Sequence, residues 1–203
     1  MYTPPHNRED DRESIVAFMR AHSFATLVTA RDGITATHLP FLVRDGGRVL
    51  AAHMARANPQ WRDLGAGEAL VIFQGPHAFV SPGHYERELS VPTWNYVAVH
   101  AYGAARILDG EGSLALLAEL NAAHDPEYAG RFASLPAEFV AAKLKGIVAF
   151  ELEVARLEAR FKLSQDRTPA ERDRIVEALS NSADSSEREL ARLMAERSTN
   201  EHE

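Results

Sequence analysis

The stretch VPTWNYVAVHAYG, which begins at Val91, carries aromatic and polar side chains that an ordinary buried strand does not need. If this stretch is a strand, alternation places four ring-bearing side chains on one face. They are Trp94, Tyr96, His100 and Tyr102. Such a face suits a planar, partly polar ligand or a hydrated subunit interface better than a dry core. The pattern predicts either a ligand-binding surface or an aromatic seam between two copies of the chain.

The stretch AAHMARANPQWRDL indicates a strand that ends near His53 and is followed by a helix start. Asn58 is a favourable N-cap residue, and Pro59 suits the first helical position. A helix start offers unpaired N–H groups and the positive end of the helix dipole, and Arg56 adds a cation beside it. Such a corner can hold a phosphate group. The alternative interpretation is that Asn58 is only a cap and that Arg56 is solvated.

His38 lies in the stretch ITATHLPFLV, where strand alternation puts it on the same face as Ile34 and Leu42. Thr37 and Leu39 then point to the other face. A polar side chain among aliphatic residues needs a partner. Two interpretations follow: His38 is a hydrogen-bonded core histidine, or it contacts a cofactor.

Several other kinds of chemistry find no support in the sequence. The chain has no cysteine, which excludes disulfides, a thiolate nucleophile and a thiolate metal site. Its nine histidines lack the helical spacing with an acid that marks a zinc protease, so we expect no metal site. No Gly-x-Ser-x-Gly elbow, phosphate-binding loop or dinucleotide fingerprint is present. No catalytic residue is identified.

Composition limits the partners. The formal net charge of -7 disfavours loose binding to nucleic acid or to anionic lipid, although direct DNA binding through a local basic patch stays open. The chain shows neither a secretory signal nor an apolar run long enough to span a membrane, so we expect a soluble cytoplasmic protein without a membrane partner. Its 203 residues fit one large domain, or one domain with a helical extension.

Short turns between the early strands predict an antiparallel sheet, because parallel strands need longer connections. We expect a helix over 11–22 and strands over 24–30, 34–43, 48–53, 69–73, 78–81, 93–108 and 146–157. Further helices are expected over 112–123 and 136–144, and capping boxes at Thr168 and Ser186 predict two more. The order indicates an α+β fold: a mainly antiparallel β-barrel over 1–160 with peripheral helices, and a C-terminal helical extension over 161–203.

Several motifs occur in an order that resembles the PaiB-type FMN-binding negative transcriptional regulators. They are HLPFLV, AHMARANPQW, FQGPHAFVSPGHY, VPTWNYVAVHAYG and FKLSQDR. The resemblance extends from Met1 to about Met194. It implies an FMN-binding split β-barrel that works as a homodimer, with FMN at the subunit interface.

The resemblance also implies roles for particular positions. The flavin ring would lie along Thr37, His38, Leu39, Pro40 and Phe41, and its phosphate would meet His53, Arg56 and Asn58. Thr93, Trp94, Asn95 and Tyr96 would line the ring or approach it from the second subunit, while Lys162, Ser164 and Gln165 would close the site.

The leading hypothesis is therefore an FMN-binding homodimer with a regulatory or redox-sensing role. One alternative is an FMN-dependent oxidoreductase that uses NADH or NADPH. Another keeps the fold but binds heme, with His38, His53 or His100 as an axial ligand.

Overall fold

The computed structural model describes residues 1–200, with side chains through residue 197. The strands are β1 (Arg8–Glu9), β2 (Phe24–Ala30), β3 (Ile34–Pro40), β4 (Leu42–Arg44), β5 (Val49–Ala55), β6 (Glu68–Val80), β7 (Thr93–Ile107) and β8 (Ile147–Lys162). The α-helices are α1 (Arg12–Ala21), α2 (Gly110–His124), α3 (Pro126–Phe132), α4 (Ala137–Leu144), α5 (Pro169–Ser180) and α6 (Ser185–Asn200). Four short 3-10 helices cover Pro5–Asn7, Asp45–Gly47, Pro59–Asp63 and Pro82–His84.

The strands form one sheet in the order β3-β2-β6-β7-β8-β5-β4, with β1 paired to β8. The pairs β1–β8, β2–β3, β2–β6, β4–β5 and β5–β8 are antiparallel. This register sets Thr26 opposite His38, and His53 opposite Ala149. This confirms the predicted α+β, mainly antiparallel class. The two strands expected over 69–73 and 78–81 are one continuous strand, β6.

The strand expected over 34–43 is interrupted at Phe41, and its two halves lie at opposite edges of the sheet. Phe41 is buried, its N–H donates to the Ser23 carbonyl at 2.9 Å, and its ring packs edge-on against Phe73 and Phe150. One segment thus supplies both edge strands. No backbone ladder joins β3 to β4 within the described chain, so the sheet is open and not a closed barrel.

Contacts divide the chain into two compact units. Unit 1 contains Met1–Asp11, Gln74–Val99 and the chain from Glu158 onward. Unit 2 contains Arg12–Phe73 and His100–Leu157. The domain boundary expected after residue 160 falls inside β8.

The two expected capping boxes differ in outcome. At the start of α5, Thr168 Oγ1 accepts a hydrogen bond from the Glu171 N–H, and the Glu171 carboxylate accepts one from the Thr168 N–H, as predicted. The prediction of a capping box at Ser186 is wrong. The Asp184 carboxylate accepts from the Ser186 N–H at 2.7 Å, while Ser186 Oγ bonds to both backbone groups of His77. A carboxylate is a stronger acceptor than a hydroxyl, which explains why Asp184, and not Ser186, accepts a backbone N–H at the start of α6.

One helix was not predicted. Asp125 and Pro126 fall between the helices expected over 112–123 and 136–144, and they start α3. The Asp125 side chain accepts from the Tyr128 N–H at 2.9 Å, and proline suits the first helical position. None of the described helices combines the length with the apolar character that crossing a membrane requires.

Candidate functional site

Arg56 is held in place by backbone carbonyls of unit 2. It follows β5, and its N–H donates to the Gly146 carbonyl at 2.8 Å. Its guanidinium donates through Nε to the Lys145 carbonyl at 2.9 Å and through Nη2 to the Ile147 carbonyl at 2.8 Å. The side chain is exposed, and Nη1 has no acceptor within the described chain. Arg56 is therefore a fixed cation with donors still available to a ligand.

Asn58 is the predicted cap. Its Oδ1 accepts from the Gln60 N–H at 3.0 Å, at the start of the short 3-10 helix. Its Nδ2 donates to Thr37 Oγ1 at 2.9 Å. The structure thus brings Thr37 together with the turn that carries Arg56. We call Thr37, Arg56 and Asn58 the phosphate corner, after the phosphate contact predicted for Arg56 and Asn58. Both ends of the Asn58 amide are used within the protein, so this side chain positions the corner.

His53 lies on β5 opposite Ala149 and is half-buried. Its Nδ1 is buried and has no partner within the described chain. Burial lowers the pKa of His53 from its ordinary value of 6.5. A histidine with a lowered pKa is mostly neutral at neutral pH, so His53 does not supply a fixed charge for phosphate.

The predicted flavin-contacting stretch on β3 is divided between two environments. His38 is exposed, with its ring stacked on Phe24 at 6.2 Å. The hypothesis of a core histidine is therefore wrong, because this face of β3 is solvent-exposed. Leu39 and Phe41 are buried, and Pro40 is half-buried. Of this stretch, Thr37 is the residue that belongs to the phosphate corner, through its hydrogen bond with Asn58.

In unit 1, the aromatic face of β7 is accessible to solvent. Trp94 is 52% exposed, and its ring lies 5.5 Å from that of His77 and 6.2 Å from that of Phe79. Tyr96, two residues along the strand, is half-buried. The alternation predicted from the sequence is thus confirmed at the start of β7. We call His77, Phe79 and Trp94 the aromatic wall.

Two basic residues of β8, Arg160 and Lys162, contact the start of β7 within unit 1. The Lys162 ammonium donates to Thr93 Oγ1, and the Arg160 guanidinium lies over the Tyr96 ring at 5.2 Å. Burial, and then repulsion by Arg160, lowers the pKa of Lys162 from its ordinary value of 10.5. The structure thus brings two predicted site residues, Lys162 and Thr93, into contact. Thr93 immediately precedes Trp94 in the sequence.

Asn95 and Gln165 serve the protein interior. Asn95 is 0% exposed, on the opposite face of β7 from Trp94, and its Nδ2 donates to Ser164 Oγ at 2.8 Å. Gln165 accepts from the Leu163 N–H and donates to the Phe161 carbonyl, which closes a turn around Ser164. Ser164 has a φ of 60°, so these bonds hold a left-handed residue in place. A ligand contact by either amide stays a prediction.

A comparison with known families matches residues 1–156 to the family described as "Putative FMN-binding domain". The chain belongs to this PaiB-type FMN-binding family. It is 37% identical over 204 residues to "Protease synthase and sporulation protein PAI 2" of Bacillus subtilis (strain 168), covering 97% of this chain and 98% of that protein. The resemblance inferred from the motifs is thereby confirmed.

Solved structures show the fold of this FMN-binding domain. The FAD and heme binding protein from Mycobacterium smegmatis has a TM-score of 0.62 at 19% identity, covering 77% of this chain and 73% of that chain. A conserved hypothetical protein from Mycobacterium tuberculosis has a TM-score of 0.57 at 12% identity, covering 83% and 94%. At such identities the likeness concerns the fold alone, and it confirms the split-barrel class.

Sequence reasoning missed three residues that lie beside predicted site residues: His77 and Phe79 beside Trp94, and Arg160 beside Tyr96. His77 and Phe79 alternate on β6, which is the neighbour of β7, and this spacing could have indicated that they lie beside Trp94. Arg160 could have been found from its position two residues before Lys162 on the same strand. No sequence signal showed that Arg56 would be tied to the segment after α4.

The lowered pKa of His53 predicts a specific pH dependence of stability. Because the folded pKa lies below 6.5, the folded state resists protonation, and stability is lost as the pH falls below 6.5. We expect His53→Gln to lose less unfolding free energy than the wild type between about pH 7.5 and about pH 5.5. Urea denaturation at both pH values measures this difference. Equal losses in the two proteins would contradict it, and the exposed His6→Gln variant is the control.

Proposed function

We propose that this FMN-binding protein holds the flavin phosphate at the phosphate corner and acts as a homodimer in regulation. FMN is the cofactor of the family to which the chain belongs, and the match over residues 1–156 is the observation that carries the proposal. When bound, FMN supplies redox chemistry, and the protein contributes binding, orientation and electrostatics.

The phosphate corner fits an anionic group. Arg56 is already oriented by two carbonyls, so binding does not require a flexible side chain to be ordered. A guanidinium with free N–H donors matches the geometry of a phosphate. The amide of Asn58 and the hydroxyl of Thr37 hold the adjoining turn to β3. Arg56 would therefore bind the phosphate, and its two neighbours would keep the corner in shape.

The aromatic wall fits the flavin ring system. Planar aromatic side chains that are half-exposed offer a stacking or edge surface to a planar ligand. Trp94 and Phe79 are 52% and 48% exposed. Lys162 and Thr93 would add polar groups at the start of the same strand.

A second copy of the chain is the partner that we propose for this surface. Leu89 and Val91, in the segment before β7, are 96% and 75% exposed, and Trp94 and Phe79 of the same unit are also exposed. Exposed apolar side chains of this size favour an interaction surface in unit 1. In the proposed homodimer, this surface meets the partner subunit, and FMN lies at the interface.

The proposed regulatory role is based on the name of a similar protein and on the net charge of this chain. The Bacillus subtilis relative has a name that refers to protease synthesis and sporulation, and it aligns with nearly the whole chain. The net charge of -7 argues against general adhesion to nucleic acid. Regulation through a local DNA-binding surface or through another protein is compatible with this charge.

The first prediction concerns FMN affinity. We expect Arg56→Gln to raise the Kd for FMN about tenfold to a hundredfold, because a hydrogen bond to a charged group is lost. Quenching of flavin fluorescence during titration measures the Kd. Arg62→Gln is the matched control, because Arg56 and Arg62 both lie over the Trp61 ring and both are exposed.

Affinity unchanged in Arg56→Gln, in a variant whose circular dichroism matches that of the wild type, would remove Arg56 from the phosphate site. A chain that FMN cannot saturate at all would refute the cofactor assignment itself.

The second prediction concerns assembly. We expect a solution mass of about 45 kDa from light scattering, twice the 22.4 kDa of one chain. Trp94→Asp places a charge on the apolar surface and should give a monomer. Leu114→Asp, at an exposed leucine of α2, should remain a dimer. A monomeric wild type, or a dimeric Trp94→Asp variant, would contradict the proposed interface.

The third prediction separates regulation from enzymatic turnover. Oxidation of NADH and of NADPH by the FMN-loaded protein is compared with oxidation by the same concentration of free FMN. A regulator requires no sustained turnover, so we expect equal rates. Steady oxidation by the protein well above the free-flavin rate would favour the oxidoreductase hypothesis instead.

A further inference from the structure

A cleft of about 770 Å³ lies between α1 and the turn that joins β4 to β5, within unit 2. Three arginines, Arg12, Arg20 and Arg48, line it together with the side chains of Glu13 and Asp45. The residues that line this cleft belong neither to the sequence motifs nor to the predicted site residues.

The three guanidinium groups have no carboxylate partner within the described chain. Arg12 donates through Nε to the Gly46 carbonyl at 2.8 Å, which fixes its position and leaves its terminal nitrogens available. Arg20 approaches the Val43 carbonyl at 3.5 Å, a weak contact. Arg48 has no side-chain hydrogen bond or ion pair in the described chain. Elsewhere most arginines are paired or bonded, for example Arg44 with Glu119 and Glu151.

The turn is packed tightly enough to hold this arrangement. Gly47 has a φ of +80°, and a Cβ there would lie 2.8 Å from a methyl carbon of Val16 on α1. Only glycine therefore allows the turn to press against α1. This close packing sets Arg12 on the helix against the carbonyl of Gly46, and it places Arg48 at the same cleft.

The charge and the surface of the cleft define a ligand class. Three arginines with one aspartate and one glutamate leave a surplus of one positive charge, in a chain whose net charge is -7. Val16 and Ala17 contribute apolar surface between the charged groups. We propose that the cleft binds a small organic anion, whose carboxylate or phosphate group is held by guanidinium groups of this cleft, Arg48 among them. Guanidinium groups bind both kinds of oxyanion through paired N–H donors.

This site is separate from the phosphate corner. Arg48 immediately precedes β5 and Arg56 immediately follows it. A strand rises about 3.3 Å per residue, so the two ends of this seven-residue strand are about 20 Å apart. A bound FMN phosphate at Arg56 therefore leaves the arginine cleft free.

Amide NMR titration of the full chain tests the proposal. The probes are propionate and methyl phosphate, each compared with chloride at equal ionic strength, with and without FMN. We expect saturable shifts of the Gly46, Gly47 and Arg48 amides with at least one probe, and the probe that binds identifies the oxyanion. FMN should leave these shifts unchanged. Arg48→Gln should weaken binding about tenfold, because a charge-assisted hydrogen bond is lost.

Arg48→Gln is suited to this test, because its side chain is exposed and bonds to nothing else in the described chain. Arg192→Gln, at an exposed arginine of α6, is the control and should bind as the wild type does. Shifts that chloride reproduces, equal affinity in Arg48→Gln and the wild type, or displacement of the probe by FMN would each overturn the proposal.

Discussion

The burial of the Phe41 ring is the constraint on which the architecture of unit 2 depends. The ring contacts Phe73 on β6 and Phe150 on β8, with centroids 6.1 Å away in each case. In the chain, Phe41 stands between β3 and β4, which are the two edge strands of the sheet. Because adjacent Cα atoms are about 3.8 Å apart, β3 and β4 must lie close together on either side of Phe41. The sheet therefore curls without a hydrogen-bonded closure.

This arrangement explains how the phosphate corner is assembled. β3 carries Thr37, and β5 ends beside the turn that carries Asn58. The hydrogen bond between these two side chains ties the corner to an edge strand. Arg56 is tied on its other side to the segment between α4 and β8. A cation fixed by carbonyls is preorganised, and such preorganisation reduces the entropic cost of binding an anion.

The sequence allowed the prediction of features that local interactions decide. The cap at Asn58, the capping box at Thr168 and the exposed face at Trp94 follow from backbone chemistry and from alternation, and all three are confirmed. The break at Phe41 could not be predicted, because it depends on rings that are distant in sequence. His38 was ambiguous for a related reason: alternation identifies a face but not whether that face is covered.

The roles of the polar site residues were harder to infer. Asn95 and Gln165 are polar residues within matched motifs, yet their side chains bond to other parts of unit 1. A motif identifies which residues a family shares, and it does not distinguish ligand contacts from residues that hold the site together. In Arg56 part of the guanidinium binds the protein, and part faces solvent, where it is available to the proposed phosphate.

The flavin phosphate is proposed to bind at Arg56. A crystal structure of the chain grown with FMN is the decisive test. We expect a phosphate oxygen about 3 Å from a guanidinium nitrogen of Arg56. A phosphate bound elsewhere, for example among Arg12, Arg20 and Arg48, with Arg56 still in contact only with the protein, would contradict the account.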